Sequence, residues 1–335
     1  MKSGVYQGEG HVVVDESPVP LKNDNEALIK VSFAGICGTD MMIYSGLHPR
    51  ATAPLIMGHE FSGIVEEIGT FSLKPGDQVA INPLNSCGHC YACQIGQRHI
   101  CANLKYLGID INGGFAEYVS VPYQNLHKLP ENVTTQEGAL TEPLAVAVHT
   151  IRKSTLKFGD TAAILGAGPI GILIGILAKK AGASKVIISD VNPYRLNVAA
   201  SYGLAAIDAN EKSISDVTKQ VTNGVGADVV FEAAGNQMTA NQMIDAIKPQ
   251  GEILLVSVYK KSPTIDLAKM HFREISLKTT RCFTTEEFQI AIDLMKRKEV
   301  DLTGLISHNL PIEEFPKGFQ LMQHSTEALK ILYQL

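Results

Sequence analysis

Residues 161–190 read TAAILGAGPIGILIGILAKKAGASKVIISD, and this stretch decides the fold of the chain. A short apolar run is followed by glycines at positions 166, 168 and 171 and then by a helical stretch that ends near Lys180. A strand, a G-x-G-x-x-G turn and a helix in this order are typical of the first βαβ unit of a dinucleotide-binding sheet. The glycines permit a tight turn and allow the amides at the start of the helix to face a pyrophosphate. We therefore predict a parallel sheet with a dinucleotide site at this turn.

The acidic residue that follows the second strand indicates which dinucleotide binds. Asp190 lies 19 residues beyond Gly171, where a carboxylate accepts hydrogen bonds from ribose hydroxyls and repels a 2′-phosphate. Positions 191–194 contain no cation, so we predict NAD rather than NADP. Arg195 either contacts the adenosine ribose or is a solvated helix residue, and the whole motif could also be a purely structural turn. The predicted cofactor-binding residues are Gly166, Gly168, Pro169, Ile170, Gly171, Asp190 and Arg195.

The sequence pattern on either side of this stretch predicts two domains. Between about 145 and 281, short apolar strands alternate with glycine-rich turns and helices, which predicts right-handed βαβ units. Residues 1 to about 142 contain short β-branched runs separated by Gly, Pro, Asn and Asp, which is typical of an irregular and mostly antiparallel β domain. After residue 281, a helix at 285–298 precedes strands at 306–310 and 328–332. We expect this last segment to return to the first domain.

Composition excludes several classes of protein. The 335 residues are 45% hydrophobic and 19% charged, which is ordinary for a chain with a sizeable core and unlike a disordered protein or a coiled coil. The net charge is 29 − 34 = −5 and there is no basic tract, so we expect no nucleic-acid or membrane partner. Residues 161–178 are uncharged but rich in glycine and shorter than the ~20 residues of a membrane span. The first ten residues, MKSGVYQGEG, have no apolar run, so we expect no signal peptide and a cytoplasmic location.

Four of the six cysteines lie close together in a C-x2-C-x2-C-x7-C pattern. They are Cys87, Cys90, Cys93 and Cys101. Four thiolates at such spacings can wrap a tetrahedral zinc ion, with all coordination positions filled and no chemistry at the metal. The alternatives are two disulfides, which a chain without a secretory signal disfavours, or four unconnected thiols. His89 and His99 could also substitute as ligands. We predict a structural zinc lobe at about 87–101.

A second cysteine and a histidine could bind another metal. Cys37 stands in GICGTD (35–40) and His59 in GHEFSG (58–63). A catalytic zinc needs about three protein ligands and one open position. Taken alone, each of these residues is more typical of a protein core than of a metal site. Their motifs nevertheless occur in a fixed order with the cysteine lobe, EPLAVAVHT (142–150), GAGPIG (166–171) and FEAAG (231–235).

This series of motifs resembles the zinc-dependent medium-chain alcohol and polyol dehydrogenase family, most closely its sorbitol dehydrogenase-like branch. The resemblance extends over essentially the whole chain. It implies an α/β fold in which a GroES-like β catalytic domain (residues 1–144 and 282–335) is interrupted by a Rossmann domain. That NAD-binding domain, residues 145–281, would be a doubly wound parallel sheet.

The resemblance also implies a ligand set for the second metal. Cys37 and His59 match the first two ligands of the catalytic zinc, and Glu142 matches the third. Ethanol-using relatives have Cys at this third position, whereas polyol enzymes have Glu or Asp. Glu60 matches a carboxylate that binds the zinc directly or through water. Asp40 matches the acid that orients the zinc-bound imidazole, although it could instead be a local turn cap.

Proton transfer and substrate binding follow from the same resemblance. Thr39 matches the hydroxyl that accepts the substrate's proton, so the catalytic residues would be Thr39, Asp40 and Glu60. Many relatives continue the relay with a histidine where this chain has Met42, and His48 is either its replacement or an exposed loop residue. Arg281 aligns approximately with a substrate-binding arginine. The predicted substrate contacts are Tyr44, His48, Phe115 and Arg281.

The function implied is NAD-dependent oxidation of a secondary alcohol, in a polyol or sugar-derived substrate, to a ketone. Two zinc ions per chain and NAD are the expected cofactors, and a homotetramer or homodimer is the expected assembly. One alternative within the family is a threonine or 2,3-butanediol dehydrogenase. An alternative of another class is a non-catalytic relative that binds dinucleotide. The sequence shows no obvious anion clamp for a phosphorylated substrate.

Overall fold

The computed structural model describes residues 1–335. The strands are β1 (Lys2–Gly8), β2 (His11–Glu16), β3 (Glu26–Gly35), β4 (Leu55–Ile56), β5 (Glu60–Glu67), β6 (Gln78–Ile81), β7 (Leu84–Asn85), β8 (Lys105–Tyr106), β9 (Tyr118–Pro122), β10 (Leu126–Lys128), β11 (Thr161–Leu165), β12 (Lys185–Asp190), β13 (Ala205–Asp208), β14 (Ala227–Glu232), β15 (Ile247–Leu255), β16 (Ser276–Thr279), β17 (Ile306–Pro311) and β18 (Lys330–Gln334). The helices are α1 (Gly38–Tyr44), α2 (Tyr91–Gln94), α3 (Thr135–Gly138), α4 (Thr141–Lys153), α5 (Pro169–Lys180), α6 (Pro193–Ser201), α7 (Ile214–Val221), α8 (Gln237–Ala246), α9 (Leu267–His271), α10 (Thr285–Lys296) and α11 (Phe315–His324).

The chain divides into two compact units. One comprises Met1–Ala145 and Phe283–Leu335, and the other comprises Val146–Cys282. The bounds expected from the sequence differ from these by one residue at each junction. The segment after residue 282 packs with the N-terminal unit, and α4 runs through the first junction. No helix combines the length and the apolar character that crossing a membrane would require.

The second unit contains the predicted parallel sheet. Its six strands have the order β13-β12-β11-β14-β15-β16, and every neighbouring pair is parallel. The chain first builds outward from β11 to β13 and then returns to β14 on the other side of β11. This reversal of direction is the point at which doubly wound sheets bind ligands, at the carboxyl ends of the strands. The doubly wound fold expected from the sequence is confirmed.

The core of this sheet explains why its strands are nearly continuous apolar runs. All five residues of β11 are buried, because helices pack on both faces of a parallel sheet. Side chains of α8, including Met243 and Ile244, pack with strand residues such as Leu165, Ile187 and Ile253. The apolar character of 161–178 therefore belongs to a buried strand and the helix that follows it.

The first unit is mostly antiparallel, as predicted. Its main sheet has the order β10-β6-β5-β3-β18-β17, and β9 also pairs with β3. Only β17 and β18 in this sheet are parallel. A three-stranded sheet, β2-β1-β4, and a two-stranded ribbon, β7-β8, complete the unit. The central strand β3 ends at Gly35, two residues before Cys37, and thereby positions the candidate metal ligands.

An aromatic cluster fills the core of this unit beside that strand. Phe115 is fully buried and contacts Phe315, Phe319 and Tyr333, with ring centroids 5.1 to 6.4 Å apart within the cluster. Its ring also lies where a Cβ at Gly58 would be. The structure therefore corrects the expectation that Phe115 contacts substrate: the side chain packs in the core and supports the residue before His59.

Candidate active site and metal centres

The four clustered cysteines converge in the loop that the β7-β8 ribbon closes. Their sulfur atoms all lie within 4.8 Å of one another, and all four thiols are free rather than paired in disulfides. Cys90 is the N-cap of α2, Cys93 lies within that helix, and Cys101 follows the next helical turn. His89 is exposed and its Nδ1 lies 2.9 Å from the carbonyl oxygen of Cys87. The arrangement fits a tetrahedral zinc with four sulfur ligands.

Backbone amides support the thiolate form that zinc requires. The amides of Cys87 and Asn103 each donate to the Sγ of Cys101 at 3.3 Å. Amides of His89 and Cys90 lower the pKa of Cys87 to about 6, whereas burial raises the pKa of Cys93 to about 11. A metal cation would stabilise every one of these thiolates, including the one that burial disfavours.

A second cluster of donors lies where β3 ends and β5 begins. Ligand atoms of Cys37, His59 and Glu60 lie within 4.8 Å of one another. The strand register causes this, because Gly35 pairs with Glu60 across β3 and β5. A Cβ at Gly35 would stand 2.7 Å from Glu60 Oε2, so only glycine leaves room for the carboxylate. One sulfur, one nitrogen and one oxygen donor match a catalytic zinc site with three protein ligands.

Asp40 connects two members of this cluster. Its Oδ2 accepts the amide of Cys37 at 2.8 Å and so caps α1, while its Oδ1 lies 3.5 Å from His59 Nδ1. The acid is therefore both the turn cap and the neighbour of the imidazole, which the sequence left as alternatives. Burial opposes protonation of His59, but Asp40 and Cys37 raise its pKa well above the ordinary value. With Nδ1 directed at Asp40, Nε2 is the nitrogen available to a metal.

A buried lysine that the sequence reasoning missed pairs with Glu60. Lys330 Nζ lies 2.5 Å from Glu60 Oε2 and 3.0 Å from the carbonyl of Ile36, and both charged side chains are nearly fully buried. Burial disfavours the ammonium, but the Glu60 carboxylate outweighs it and raises the pKa of Lys330. The signal was a single lysine inside the apolar run ALKILYQL (328–335).

Glu142 lies beside the cluster but is not one of the three converging donors. It is the second residue of α4 and is buried, and its Oε1 accepts a hydrogen bond from the hydroxyl of Tyr106 at 2.8 Å. Burial raises the pKa of Glu142 to about 7; the charge of His59 opposes this rise and that of Glu60 adds to it. The ring of Tyr106, whose hydroxyl Glu142 accepts, packs edge-on against the His59 ring, so Glu142 lies beside the cluster. The structure thus brings Glu60 into the donor set and holds Glu142 next to it.

The remaining predicted residues differ in their surroundings. Thr39 is partly buried on the first turn of α1, and Met42 is also partly buried on this helix. Tyr44, at the end of α1, packs on Phe319 with ring centroids 5.3 Å apart.

His48 is partly buried, and its Nδ1 accepts the amide of Ala51 at 3.2 Å; burial and then Arg50 lower its pKa. Arg281 is exposed and lies in the second unit.

The glycine-rich turn has the geometry that a dinucleotide needs. Gly166 has φ +105°, and a Cβ at Gly171 would stand 1.9 Å from the carbonyl oxygen of Gly166. A Cβ at Gly168, in contrast, would meet nothing within 4 Å, so the missing side chain leaves open space at the start of α5. Pro169 begins that helix. The turn therefore leaves room for a phosphate to approach the backbone.

Asp190 and Arg195 lie beside this turn. Asp190 Oδ2 accepts the amide of Ala167 at 2.7 Å and its Oδ1 accepts the amide of Asn192 at 2.9 Å. Each carboxylate oxygen retains a second lone pair that can accept a ribose hydroxyl. The buried Nε of Arg195 has no hydrogen-bond partner, which fits a donor awaiting a ligand.

We expect Asp190→Ala to weaken the preference for NAD over NADP by about 10-fold or more, since a charge-assisted hydrogen bond contributes roughly 1.5–3 kcal/mol. Fluorescence titration with NADH and NADPH measures both affinities. Asp208→Ala is the matched control, because Asp208 is the register partner of Asp190 on the neighbouring strand and caps only its own turn. An unchanged NADH to NADPH ratio in Asp190→Ala would place the discrimination elsewhere.

A second buried acid supports the glycine-rich turn from the adjacent strand. Glu232 ends β14, is fully buried, and accepts the amides of Ala234 and Gly235 and the hydroxyl of Thr239 at 2.7 to 3.1 Å. The loop that it holds packs on Gly166, where a Cβ would meet Ala233 and Ala234 at 3.1 Å. The sequence reasoning used this residue only as part of the FEAAG motif. The sequence feature that could have identified Glu232 is a carboxylate at the end of an apolar strand.

We therefore expect Glu232→Gln to lower the affinity for NADH by about 5-fold to 100-fold, because a neutral amide oxygen is a weaker acceptor and the new NH2 group cannot accept the Ser257 hydroxyl that donates to Oε2. Roughly 1–3 kcal/mol is lost per unsatisfied group. Glu252→Gln is the control, since Glu252 is a buried acid on the next strand whose partners are Thr155 and Lys278, not the loop beside the glycine-rich turn. Equal loss of NADH affinity in the two variants would indicate general destabilisation.

Comparison with known proteins places this geometry in a family. The model described as "Alcohol dehydrogenase GroES-like domain" matches residues 23–131, and the model described as "Zinc-binding dehydrogenase" matches residues 169–297. The first match lies within the first unit. The second match extends over most of the second unit and into the segment that begins at Phe283.

Three curated relatives are similar over nearly their whole length. A 2-dehydro-3-deoxy-L-galactonate 5-dehydrogenase from Pseudoalteromonas atlantica is 36% identical over 97% of this chain and 94% of its own. An L-threonine 3-dehydrogenase from Bacillus velezensis is 38% identical over 92% and 91%. A sorbitol dehydrogenase from Halalkalibacterium halodurans is 36% identical over 97% and 96%.

Solved structures show the same fold. The crystal structure of 2R,3R-butanediol dehydrogenase from Bacillus subtilis has a TM-score of 0.92 and 30% identity, covering 100% of this chain and 99% of the other. A zinc-binding dehydrogenase from Sinorhizobium meliloti, bound to NADP, has a TM-score of 0.93 and 32% identity over 100% and 99%. The relatives are all named as dehydrogenases, but they differ in substrate.

Proposed function

Because the chain belongs to the zinc-dependent medium-chain alcohol and polyol dehydrogenase family, we propose that it oxidises a secondary alcohol of a polyol or sugar-derived substrate to a ketone. The chain is an enzyme, and zinc and a nicotinamide dinucleotide are its cofactors. The observation that carries the proposal is the convergence of Cys37, His59 and Glu60 beside Asp40. Three donors of this kind leave a position for a substrate hydroxyl.

The two zinc ions would have different roles. Cys87, Cys90, Cys93 and Cys101 would hold a structural ion. Cys37, His59 and Glu60 would hold the other, with Glu142 beside them. When bound there, zinc acts as a Lewis acid that lowers the pKa of the substrate hydroxyl. Asp40 orients the imidazole of His59, and Lys330 balances the charge of Glu60.

The reaction moves a hydride and a proton in different directions. With NAD bound, the hydride would leave the carbinol carbon with the electron pair of the C–H bond and would reduce the nicotinamide to give NADH. The hydroxyl proton passes to the Thr39 hydroxyl and from there to solvent. Met42 cannot continue this relay, because a thioether neither donates nor binds a proton near neutral pH. NAD is proposed over NADP because Asp190 would repel a 2′-phosphate.

Several observations support a polyol or sugar-derived substrate. One relative is a sorbitol dehydrogenase, and another acts at position 5 of a sugar-derived acid according to its name. Glu142 occupies the position where the resemblance implies an acid in polyol and related enzymes and a cysteine in ethanol-using ones, so it supports both a polyol and a threonine enzyme over an ethanol-using one. Threonine is the second candidate, since the similarity to an L-threonine 3-dehydrogenase is equally strong.

A substrate screen separates these candidates. Purified enzyme with NAD is assayed on stereoisomeric pentitols and hexitols, 2,3-butanediol and L-threonine, and NADH formation is followed by absorbance. We expect turnover of at least one polyol with kcat/KM above that for threonine. Turnover of threonine alone would contradict the polyol proposal but leave the dehydrogenase intact.

We also propose that the chain assembles into a homotetramer or homodimer. The edge strand β16 supports this, because all four of its residues are exposed and its outer side has no neighbouring strand in the six-stranded sheet. Open sheet edges are natural sites for pairing with another chain. Light scattering of the purified protein gives the mass, and a monomer would contradict the proposal.

A further inference from the structure

Two acids compete for the candidate catalytic metal, and each is held by a different partner. Glu60 pairs with the Lys330 ammonium and still lies within the donor cluster. Glu142 accepts the Tyr106 hydroxyl and lies outside the cluster. Both acids are buried, so neither can turn to water for hydrogen bonds. The hydrogen-bond partner of each carboxylate, Lys330 for Glu60 and Tyr106 for Glu142, therefore determines which acid binds the metal.

Tyr106 is fixed from several sides. It lies on β8 opposite Leu84 of β7, at the base of the cysteine lobe, and is only 6% exposed. Its ring meets the His59 ring edge-on, with centroids 5.5 Å apart and an interplanar angle of 88°. Its backbone amide also donates to Asp110 at 2.8 Å. The hydroxyl is thus presented to Glu142 by an anchored strand and a packed ring.

We propose that Tyr106 is a positioning residue that holds the Glu142 carboxylate outside the donor set, so that Glu60 is the acid ligand and the fourth metal position stays open. This inference rests on the proposed function, because it assumes a zinc ion at Cys37 and His59. It concerns which acid binds that ion and what keeps the substrate position free.

Removal of the Tyr106 hydroxyl should slow the release of the catalytic zinc. Without the Tyr106 hydroxyl, Glu142 Oε1 loses its donor in a buried site, which costs roughly 1–3 kcal/mol. The metal is then the nearest replacement partner, since carboxylate oxygen is a normal zinc ligand. Glu142 would then bind at the open fourth position of the metal, where the substrate hydroxyl would otherwise bind. With four protein ligands the site would hold the metal more tightly. A tyrosine with a merely structural role would instead weaken the site when it is truncated.

The test compares metal release and metal spectra in Tyr106→Phe. We expect zinc at the catalytic site to be released to a chelator about 10-fold more slowly than in the wild type, within the range that partners of metal ligands exert. After Co²⁺ replaces this zinc, the visible d–d bands should shift in position, because a carboxylate oxygen takes the fourth position of the tetrahedral ion. Tyr106→Phe/Glu142→Gln should return both readouts to wild-type values.

Two further variants make the outcome decisive. Tyr333→Phe removes another buried hydroxyl, one that donates to a backbone carbonyl, and should leave the release rate unchanged. Glu142→Gln alone should change the release rate by less than about 2-fold, because Glu142 is not a ligand in the wild type. Unchanged or faster release in Tyr106→Phe, or much faster release in Glu142→Gln, overturns the inference. Absence of a Cys37-dependent zinc pool in the wild type would instead overturn the proposed function.

Discussion

Cys37→Ser is expected to reduce kcat/KM for every alcohol substrate by about 10³-fold or more, because Lewis-acid stabilisation by a metal contributes several kcal/mol to such a transition state. The serine hydroxyl is a poor replacement for the thiolate, so the zinc held with His59 and Glu60 is lost. Elemental analysis should show a fall from two zinc ions to one per chain. NADH affinity should stay within about 2-fold, since the glycine-rich turn lies in the other unit.

The control for this variant is Cys282→Ser. Cys282 belongs neither to the four-cysteine lobe nor to the donor cluster that contains Cys37, and it is the only other cysteine of the chain. It should retain both zinc ions and most of the activity. A Cys37→Ser enzyme that keeps two zinc ions and its turnover would show that the catalytic metal is elsewhere.

Cys101→Ser is expected to open the cysteine lobe. Cys101 Sγ accepts two backbone amides and lies 3.4 Å from Cys87 Sγ, so its loss removes both a metal ligand and the centre of the loop. Binding of structural zinc supplies about 10–16 kcal/mol in isolated zinc-binding peptides, and we expect the lobe's free energy of local unfolding to fall by about 3 kcal/mol or more. Hydrogen exchange and limited proteolysis of residues 84–106 measure this opening.

The matched control for the lobe is His89→Ala. His89 is exposed and makes only a local contact with the carbonyl of Cys87, so this variant should keep two zinc ions and the proteolytic resistance of the wild type. Zinc loss in His89→Ala would mean that the imidazole is a ligand. Cys101→Ser with full zinc content would contradict the four-cysteine site.

Local patterns allowed much of the fold and the donor residues to be predicted. The βαβ unit at 161–190 could be predicted because strand, turn and helix are contiguous and each has its own residue preference. The cysteine lobe is equally local, since its ligands lie within fifteen residues. The resemblance then supplied Cys37 and His59, which the strand register brings together from separate segments.

What the sequence could not predict depends on contacts between distant segments. Lys330 reaches Glu60 only because β18 pairs with β3, a long-range register that no local pattern specifies. Tyr106 meets Glu142 for a similar reason, through the ribbon at the base of the lobe. Phe115 was mistaken for a substrate contact because an aromatic residue near glycines is equally typical of a pocket and of a core. Which of the two acids is a ligand likewise depends on side-chain partners.

The central claim is that a polyol's secondary carbinol carbon gives its hydride directly to NAD. The most direct measurement uses the best polyol from the screen, labelled with deuterium at the carbinol carbon, and determines the mass of the NADH formed. We predict that every reduced nicotinamide carries one deuterium and that the polyol becomes the corresponding ketone. Unlabelled NADH, or no NADH from any polyol while threonine is oxidised, would contradict the account.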